Sequence, residues 1–184
     1  MNKILVETIS PSEYKKLHNV STVFYGFHST PFGEIIIGIT HNSICYLNFV
    51  LKDKQTSINE LSKFWNKSLI KEDESLTKKY FDIIFNNLDS QIKVLFKGTQ
   101  FQIQVWKSLL RIPLGQLSTY KKIAESINSN ALRAVGTAIG HNPIAYVVPC
   151  HRVINSNGKL GNYGGGKERK KQIIQFEGAN ISFQ

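Results

Sequence analysis

Cys150 and His151 are adjacent in the sequence and offer the most reactive pair of side chains in it. A thiol becomes a useful nucleophile when nearby cationic or hydrogen-bonding groups favour the thiolate, and His151 and Arg152 are such groups. Because neighbouring side chains rarely face each other, we expect His151 to act on the thiol as a base through a bound water. The pattern predicts nucleophilic chemistry at Cys150.

One of the few acids in this part of the sequence occupies an unusual position. The helical pattern that ends at Gly178 places Glu177 at a helix C-terminus, where the macrodipole disfavours negative charge. We therefore expect a partner for its carboxylate. His151, which Glu177 would orient, is one candidate, and a simple ion pair with Lys170 or Lys171 is an equally good alternative.

The residues before the cysteine predict the element that positions it. Ile144–Val148 has the composition of a buried strand, and Pro149 ends ladder pairing. Cys150 would then lie where a strand leaves the core, which is a common location for catalytic residues.

Three helical patterns precede this segment, over residues 99–110, 118–127 and 131–140, and their order predicts a helix-turn-helix. The third helix has an expected inward stripe of Leu132, Val135, Gly136 and Ile139, opposite Arg133, Ala134, Thr137, Ala138 and His141. Small outward residues permit close approach to a narrow groove, with Arg133 inserted as a wedge. A helix packed on both faces, with Arg133 solvated, is the alternative.

The net charge of +10 is concentrated in the second half of the chain. Residues 1–97 carry 12 Lys and Arg against 10 Asp and Glu, whereas residues 98–184 carry 11 against 3, so the halves are +2 and +8. This asymmetry predicts a polyanionic partner, with solubility alone as the alternative explanation.

The first half predicts a small α+β unit. Its expected elements are strands over residues 20–28, 34–40 and 43–50 and helices over residues 56–65 and 76–87. Cys45, His18, His28 and His41 lack the spacing of metal ligands, so we interpret them as structural and expect no metal site.

Composition places the chain among globular proteins. A hydrophobic content of 41% without 18 consecutive apolar residues argues against disordered and membrane-spanning classes. The first residues show no secretory signal, so we expect a cytoplasmic location, reduced thiols and no membrane partner.

The second half resembles the O6-alkylguanine-DNA alkyltransferases, also called methylated-DNA–protein-cysteine methyltransferases. Pro149-Cys150-His151-Arg152-Val153 is similar to their active-site signature. The other matching motifs are Gly98-Thr99-x-Phe101-Gln102-x-x-Val105-Trp106, Ile112-Pro113-x-Gly115, Thr119-Tyr120-x-x-Ile123-Ala124, Arg133-Ala134-Val135-Gly136, Asn142-Pro143-Ile144, Gly161-x-Tyr163 and Glu177-Gly178.

The resemblance implies an α+β fold with two domains. Residues 1–92 would form an N-terminal ribonuclease-H-like antiparallel sheet with helices. Residues 93–184 would form a mostly α, helix-turn-helix (winged-helix-like) domain that binds DNA and accepts the alkyl group. The first half matches the family only in this general plan.

The resemblance also implies catalytic roles for the matching residues. Cys150 would be the alkyl acceptor, activated through water by His151, which Glu177 orients. Tyr120 would donate a proton to the departing guanine, and Asn142 would shape the turn beside the cysteine.

Further residues are implied for DNA binding and for the base pocket. Arg133 would fill the stack vacated by a nucleotide flipped out through the minor groove. The other expected DNA-binding residues are Ala134, Thr137, Lys121 and Lys122. The expected pocket residues are Ile139, Val153, Tyr163, Gly164 and Trp106, with the carbonyls of Cys150 and Val153 accepting from the exocyclic amine of guanine.

The implied function is direct-reversal DNA repair. An alkyl group would pass irreversibly and stoichiometrically from O6-alkylguanine, or also from O4-alkylthymine, to Cys150 in a single turnover. The expected partner is double-stranded DNA containing O6-alkylguanine. No cofactor is expected, and the expected state is a monomer.

The chain departs from the family pattern at two places. Gly164 follows the pocket tyrosine where the family commonly has a small polar or basic residue, so a looser pocket that admits larger alkyl groups is expected. Lys121-Lys122 follow Tyr120 where relatives often carry a glycine and an acid, which would strengthen phosphate contacts.

Two other functional classes compete with this interpretation. A cysteine hydrolase could use Cys150 and His151 as a dyad, but no remote histidine with a partner amide stands out, and the basic half would have no purpose. A non-catalytic DNA-binding regulator could use the helix-turn-helix alone. Cysteine-less relatives of the family replace the nucleophile with tryptophan, and this chain retains Cys150.

Overall fold

The computed structural model describes residues 4–17, 21–86 and 90–179. His18, and the ends of two expected elements at Val20 and Asn87, lie outside these residues. The chain forms two compact units, Met1–Thr99 and Gln100–Gln184, and the α+β class expected from the sequence is confirmed. Across the described residues, no helix combines the length and the apolar character that crossing a membrane requires.

A six-stranded mixed sheet forms the first unit, in the order β1-β6-β4-β3-β2-β5. Its strands are β1 (Ile4–Ile9), β2 (Thr22–Thr30), β3 (Gly33–Thr40), β4 (Ser43–Phe49), β5 (Leu69–Glu72) and β6 (Ile92–Lys97). The expected antiparallel pairing holds for β2, β3 and β4. β1 with β6, β4 with β6 and β2 with β5 pair parallel, because these strands are joined through longer connections that contain helices.

Among the described residues, three helices accompany this sheet: α1 (Pro11–Lys16), α2 (Lys54–Phe64) and α3 (Glu74–Phe85). Each begins where Ser10, Asp53 or Asp73 accepts a hydrogen bond from a backbone N–H three residues further on. β1, α1 and β5 span only six, six and four residues, and the sequence did not predict them because such short segments carry little periodicity. β6 spans the domain boundary expected between residues 92 and 93, and it pairs within the sheet of the first unit.

His28 and Cys45 make structural contacts in the first unit, and His41 lies in a turn. His28 is buried, with Nε2 2.9 Å from Thr77 Oγ1, and its ring stacks on Phe81. Cys45 is fully buried and its Sγ lies 3.4 Å from the Gly38 carbonyl oxygen. His41 has a positive φ of 48° in the tight turn between β3 and β4, a conformation suited to such hairpins.

The second unit is mostly helical. Its helices are α4 (Gln100–Leu109), α5 (Tyr120–Ser126), α6 (Leu132–Gly140) and α7 (Lys167–Phe176), with a 3₁₀ helix over Cys150–Arg152. Two short strands, β7 (Ser118–Thr119) and β8 (Val153–Ile154), pair parallel. Because Ser118 and Thr119 pair with β8, α5 begins two residues later than the sequence predicts, and Thr119 caps it.

Helix α6 is rotated slightly from the orientation expected from its sequence. Val135 and Ile139 are buried as expected. Ala138, expected on the outward face, is also buried, and its carbonyl oxygen accepts a hydrogen bond from Trp106 Nε1 at 2.8 Å. Leu132, expected inward, is about half exposed at the first position of the helix.

The prediction of a strand over residues 144–148 is wrong. This segment is largely buried, but it folds into consecutive turns in which Val147 N donates to Ala145 O at 2.9 Å and Val148 N donates to Ile144 O at 3.0 Å. Hydrogen bonds within the segment and to the side chain of Asn142 therefore take the place of a continuous strand ladder. The apolar composition of the segment indicates that it is buried, but it does not distinguish a strand from a series of buried turns.

Candidate active site

Asn142 holds both the turn and the cysteine with one buried side-chain amide. Its Oδ1 accepts a hydrogen bond from Ile144 N at 3.0 Å, and its Nδ2 donates to Val148 O at 2.9 Å. The same Nδ2 lies 3.1 Å from Cys150 Sγ. Because Ile144 N must face an acceptor, the amide nitrogen is fixed on the side of the sulfur. A hydrogen-bond donor is therefore aimed at Cys150, where it favours the thiolate.

Cys150 begins the 3₁₀ helix and is buried. Burial raises the pKa of its thiol, whereas the hydrogen bond from Asn142 and the charge of Lys170 lower it. Burial has the largest effect, so the resting sulfur carries its proton at neutral pH. The arrangement requires a base to remove that proton and supplies groups that stabilise the anion once it forms.

His151 follows Cys150 directly in the chain, and its side chain is fully buried. Its Nε2 lies 3.0 Å from Glu177 Oε1. Burial lowers the pKa of His151 more than the Glu177 carboxylate raises it, so the ring is neutral at pH 7. The carboxylate can only accept, so Nε2 carries the proton and Nδ1 keeps a free lone pair. Nδ1 is buried and has no hydrogen-bond partner among the described residues.

Glu177 is the C-cap of α7, and two side chains hold its carboxylate there. In addition to the contact with His151, Arg152 Nε donates to Oε2 and Arg152 Nη2 donates to Oε1, both at 2.8 Å. Burial raises the pKa of Glu177, but the hydrogen bonds from Arg152 and His151 outweigh burial and lower it to about 2. These partners offset the unfavourable end of the helix dipole.

Lys170 is a site residue that sequence reasoning considered only as a partner for Glu177. It is fully buried, and its Nζ donates to the carbonyl oxygen of Val153 at 2.6 Å and to that of Leu160. Burial lowers the pKa of Lys170 to about 8, and the Cys150 sulfur acts in the opposite direction. The spacing in the sequence indicates this location. Lys170 precedes Ile174 by four residues and Glu177 by seven, so the three share the inward face of α7.

Tyr120 begins α5, and its hydroxyl lies 3.5 Å from the carbonyl oxygen of Asn162. Burial and the Cys150 sulfur raise the pKa of Tyr120, so the phenol keeps its proton at neutral pH. Gly161 passes close to this ring with a φ of +70°, and a Cβ there would lie 3.1 Å from the tyrosine hydroxyl. The position therefore suits glycine for two reasons, its backbone conformation and its contact with Tyr120.

Tyr163 and Gly164 differ sharply in their surroundings. The Tyr163 hydroxyl is buried, has no hydrogen-bond partner among the described residues, and its ring meets that of His151 edge-on at 6.4 Å. Burial raises the pKa of Tyr163 well above its ordinary value. A Cβ at Gly164 would meet nothing within 4 Å, so that position is open.

The other expected pocket residues, Ile139, Val153 and Trp106, are all buried in the second unit. Trp106 links α4 to α6 through its hydrogen bond to Ala138 O. The carbonyl oxygens of Cys150 and Val153 already accept from Val153 N and from Lys170 Nζ, and each can accept one further bond. Their expected roles toward a bound base stay predictions.

The expected DNA-binding residues lie on exposed parts of the helix-turn-helix. Arg133, Ala134 and Thr137 are exposed on α6. Lys121 and Lys122 are exposed in the first turn of α5, and Lys121 Nζ lies 3.9 Å from Glu125 Oε1. These residues offer positive charge beside a face with small side chains.

Relatives identify the family of the chain. The family model described as the DNA-binding domain of 6-O-methylguanine DNA methyltransferase matches residues 100–179. A methylated-DNA–protein-cysteine methyltransferase from Methanosarcina acetivorans is 36% identical over 158 residues, which are 85% of this chain and 99% of the relative. The chain belongs to the methylated-DNA–protein-cysteine methyltransferase family. An inducible member from Bacillus subtilis is 45% identical over 116 residues, which are 60% of this chain and 65% of that protein.

Solved structures of the family share the fold. The crystal structure of Mycobacterium tuberculosis O6-methylguanine methyltransferase has a TM-score of 0.68 and 34% identity, and the match covers 85% of this chain and 93% of that one. The crystal structure of Mycobacterium tuberculosis OGT in complex with DNA has a TM-score of 0.67 and 34% identity, with coverage of 84% and 92%. The resemblance stated from the sequence motifs is confirmed by these relatives.

Proposed function

We propose that this chain repairs DNA by taking the alkyl group from O6-alkylguanine in a duplex onto Cys150. Membership of the family supports methyl transfer from DNA to a protein cysteine as the reaction. The observation that carries the choice of cysteine is the contact between Asn142 and Cys150, next to a buried His151 and Glu177 pair. Cys45, in contrast, lies in the core of the first unit, where burial raises the pKa of its thiol.

Activation of the thiol begins with its proton. His151 Nδ1 accepts the proton of Cys150 through a water molecule, and Glu177 stabilises the imidazolium that results. Asn142 and Lys170 stabilise the thiolate that is left behind. The neutral state of His151 at pH 7 supports this role, because a protonated ring could not accept.

The thiolate then attacks the alkyl carbon in line with the bond from that carbon to O6. The sulfur–carbon bond forms as the carbon–oxygen bond breaks, and the electron pair of the broken bond passes to the guanine. Tyr120, whose phenol keeps its proton at neutral pH, donates that proton to the departing base. The products are restored guanine and a thioether on Cys150.

A buried cysteine requires that the base leave the duplex. Arg133, on the exposed face of α6, takes the place of the flipped nucleotide, and the small side chains of Ala134 and Thr137 allow the helix to enter the minor groove. Lys121 and Lys122 bind phosphates. O4-alkylthymine, which presents a similar alkyl oxygen, is a second substrate in this proposal.

A thioether is not hydrolysed by water, so each molecule acts once. The decisive experiment incubates the protein with duplex DNA that carries tritiated O6-methylguanine. We expect about one label per molecule, complete loss of transfer in Cys150→Ala, and wild-type transfer in Cys45→Ala. Catalytic turnover would support the hydrolase alternative, and binding without transfer would support the regulator alternative.

We also propose that the protein acts as a monomer in the cytoplasm. The second unit contains every side chain assigned to the reaction, so a single copy supplies the whole site. Light scattering of the free protein should give a mass near the 20.9 kDa of one chain. A dimer mass would contradict this part of the proposal and leave the chemistry unaffected.

A further inference from the structure

Tyr146 adopts a backbone conformation that few aromatic residues adopt. Its φ is +69°, in the left-handed region. The other described non-glycine residues with positive φ are His41, Asn42 and Asn128, which belong to the types that this region tolerates best. A bulky residue persists there only when its surroundings hold it, and such strain is concentrated at functional sites.

The ring of Tyr146 lies along the imidazole of His151. The two ring centroids are 5.9 Å apart and the planes differ by 23°, which is a stacked arrangement. Tyr163 meets the same imidazole edge-on, with an angle of 84° between the planes. Tyr146 is partly exposed whereas His151 is fully buried, so the tyrosine forms part of the layer between the imidazole and solvent.

Glu177 fixes His151 at only one point. The hydrogen bond to Nε2 sets the direction of the ring but leaves rotation about that bond less restricted. A parallel ring at stacking distance restricts that rotation, because any tilt of the imidazole would break the contact. The two contacts together determine where Nδ1 points.

We propose that Tyr146 is a positioning residue for the base: its ring fixes the plane of the His151 imidazole and keeps water from that side of it. The inference rests on the proposed function in one respect, since His151 is the base only in that reaction. Its structural content is independent of the reaction and can be measured in the protein without DNA.

The charged and titratable groups around His151 come from three parts of the second unit. They are Glu177 and Lys170 on α7, Arg152 and Cys150 in the 3₁₀ helix, and Tyr163 and Tyr146 in the loops on either side of it. A substitution at Tyr146 leaves the other five in place. A change in the protonation of His151 in such a variant therefore reports the loss of the ring.

Three substitutions separate the ring from the hydroxyl and from the backbone strain. Tyr146→Phe keeps the ring. Tyr146→Asn removes the ring but tolerates positive φ, and Tyr146→Gly removes the ring and relieves the strain. Thermal unfolding of each variant identifies any that does not fold, and Tyr146→Asn alone is sufficient for the test.

The measurement is an NMR titration of the His151 ring, assigned by its absence in His151→Gln. Removing the ring admits water to the imidazole and favours its charged form, so the pKa of His151 should rise by about half a unit or more in Tyr146→Asn and Tyr146→Gly. Tyr146→Phe should keep the wild-type titration. Unchanged titration in both ringless variants would overturn the inference, and an equal shift in Tyr146→Phe would transfer the role to the hydroxyl and also overturn it.

A second measurement links the ring to the reaction. As the pH is lowered, the single-turnover rate of methyl transfer falls because His151 becomes protonated. In the ringless variants this fall should occur at a higher pH, and the difference should equal the shift in the pKa of His151 measured by NMR. Affinity for unmodified duplex should not change, because Tyr146 is not part of the DNA-binding helices. If the wild-type protein transfers no methyl group, the proposed function fails, and the NMR titration still decides whether Tyr146 positions His151.

Discussion

Arg152 holds the carboxylate of Glu177 with two parallel hydrogen bonds, each of 2.8 Å, and both side chains are buried. The remaining guanidinium nitrogen, Nη1, donates to the carbonyl oxygen of Ile112 at 2.7 Å. Arg152 therefore connects the loop after α4, the 3₁₀ helix and the end of α7. His151 receives its orientation from a carboxylate that Arg152 has already fixed.

Removal of Arg152 should destabilise the second unit. Arg152→Met leaves Glu177 buried without its main partner, and breaking one side of a buried pair costs about 3–5 kcal/mol. The free energy of unfolding can be followed by Trp106 fluorescence in a Trp65→Phe background, so that only the second unit is observed. Lys121→Met breaks the exposed pair with Glu125 and should cost less than about 1 kcal/mol. An equal loss of unfolding free energy in the two variants would contradict the assignment of Arg152 as the main partner of Glu177.

Glu177 should make stability depend on acid pH. Its pKa is about 2 in the folded protein and 4.5 ordinarily, so its ionic contacts stabilise the fold fully above about pH 4.5 and lose that effect as the pH falls toward 2. The wild-type free energy of unfolding should therefore fall over this window by about 3 kcal/mol more than that of Glu177→Gln. Urea titrations at several pH values between about pH 5 and about pH 2 measure the difference. Glu125→Gln, at an exposed site, should follow the wild-type curve.

Lys170 should control the reactivity of the thiol. Burial raises the pKa of Cys150 and the charge of Lys170 lowers it, so Lys170→Met should raise that pKa further. The rate of iodoacetamide alkylation as a function of pH measures it, in a Cys45→Ala background that leaves a single thiol. Lys167→Met removes an exposed lysine from the same helix and should leave the alkylation profile unchanged. A shift in the control would indicate a general effect of net charge.

Asn142 should affect the rate of transfer more than the affinity for DNA. Asn142→Ala removes the donor to the thiolate, and a hydrogen bond to a charged group corresponds to about a 10- to 100-fold loss of rate. The single-turnover rate with a duplex containing O6-methylguanine measures the loss, and binding to unmodified duplex should not change. Asn157→Ala, in the exposed loop after β8, is the matched control. A purely structural Asn142 would instead lower folding stability without slowing the reaction of the folded fraction.

Arg133 should matter only when the base must leave a duplex. Arg133→Ala should slow transfer from duplex DNA by about tenfold or more, because extrusion costs a few kcal/mol and the arginine offsets part of it. Transfer from a single-stranded oligonucleotide should change little. Equal slowing on both substrates would contradict a wedge role and indicate that Arg133 contributes only positive charge.

The sequence predicted the helices of the second unit well because their apolar periodicity is strong, and α4 and α6 begin within a residue of the predicted positions. It failed over residues 144–148, where the deciding interaction is the side chain of Asn142 bridging Ile144 and Val148. A single polar side chain that replaces ladder hydrogen bonds leaves no periodic signal.

Within the site, the partners of Glu177 were predicted only in part. The sequence offered His151 or a lysine, and the carboxylate has four acceptor sites, which His151 and Arg152 share. Lys170 bonds to carbonyl oxygens instead. Which cation reaches a buried carboxylate depends on the path of the loops between them, and sequence spacing does not contain that path.

Because Lys170 and Glu177 lie on one helix, α7 fixes the distance and the angle between these two side chains. The charge of Lys170 acts on the Cys150 sulfur and Glu177 contacts the His151 imidazole. Their separation of seven residues in the sequence corresponds to about 10 Å along the axis and two turns. One residue inserted between them would turn Glu177 by about 100° relative to Lys170 while leaving every functional group of the chain intact. We therefore expect the reactivity of Cys150 to depend on the register of this helix.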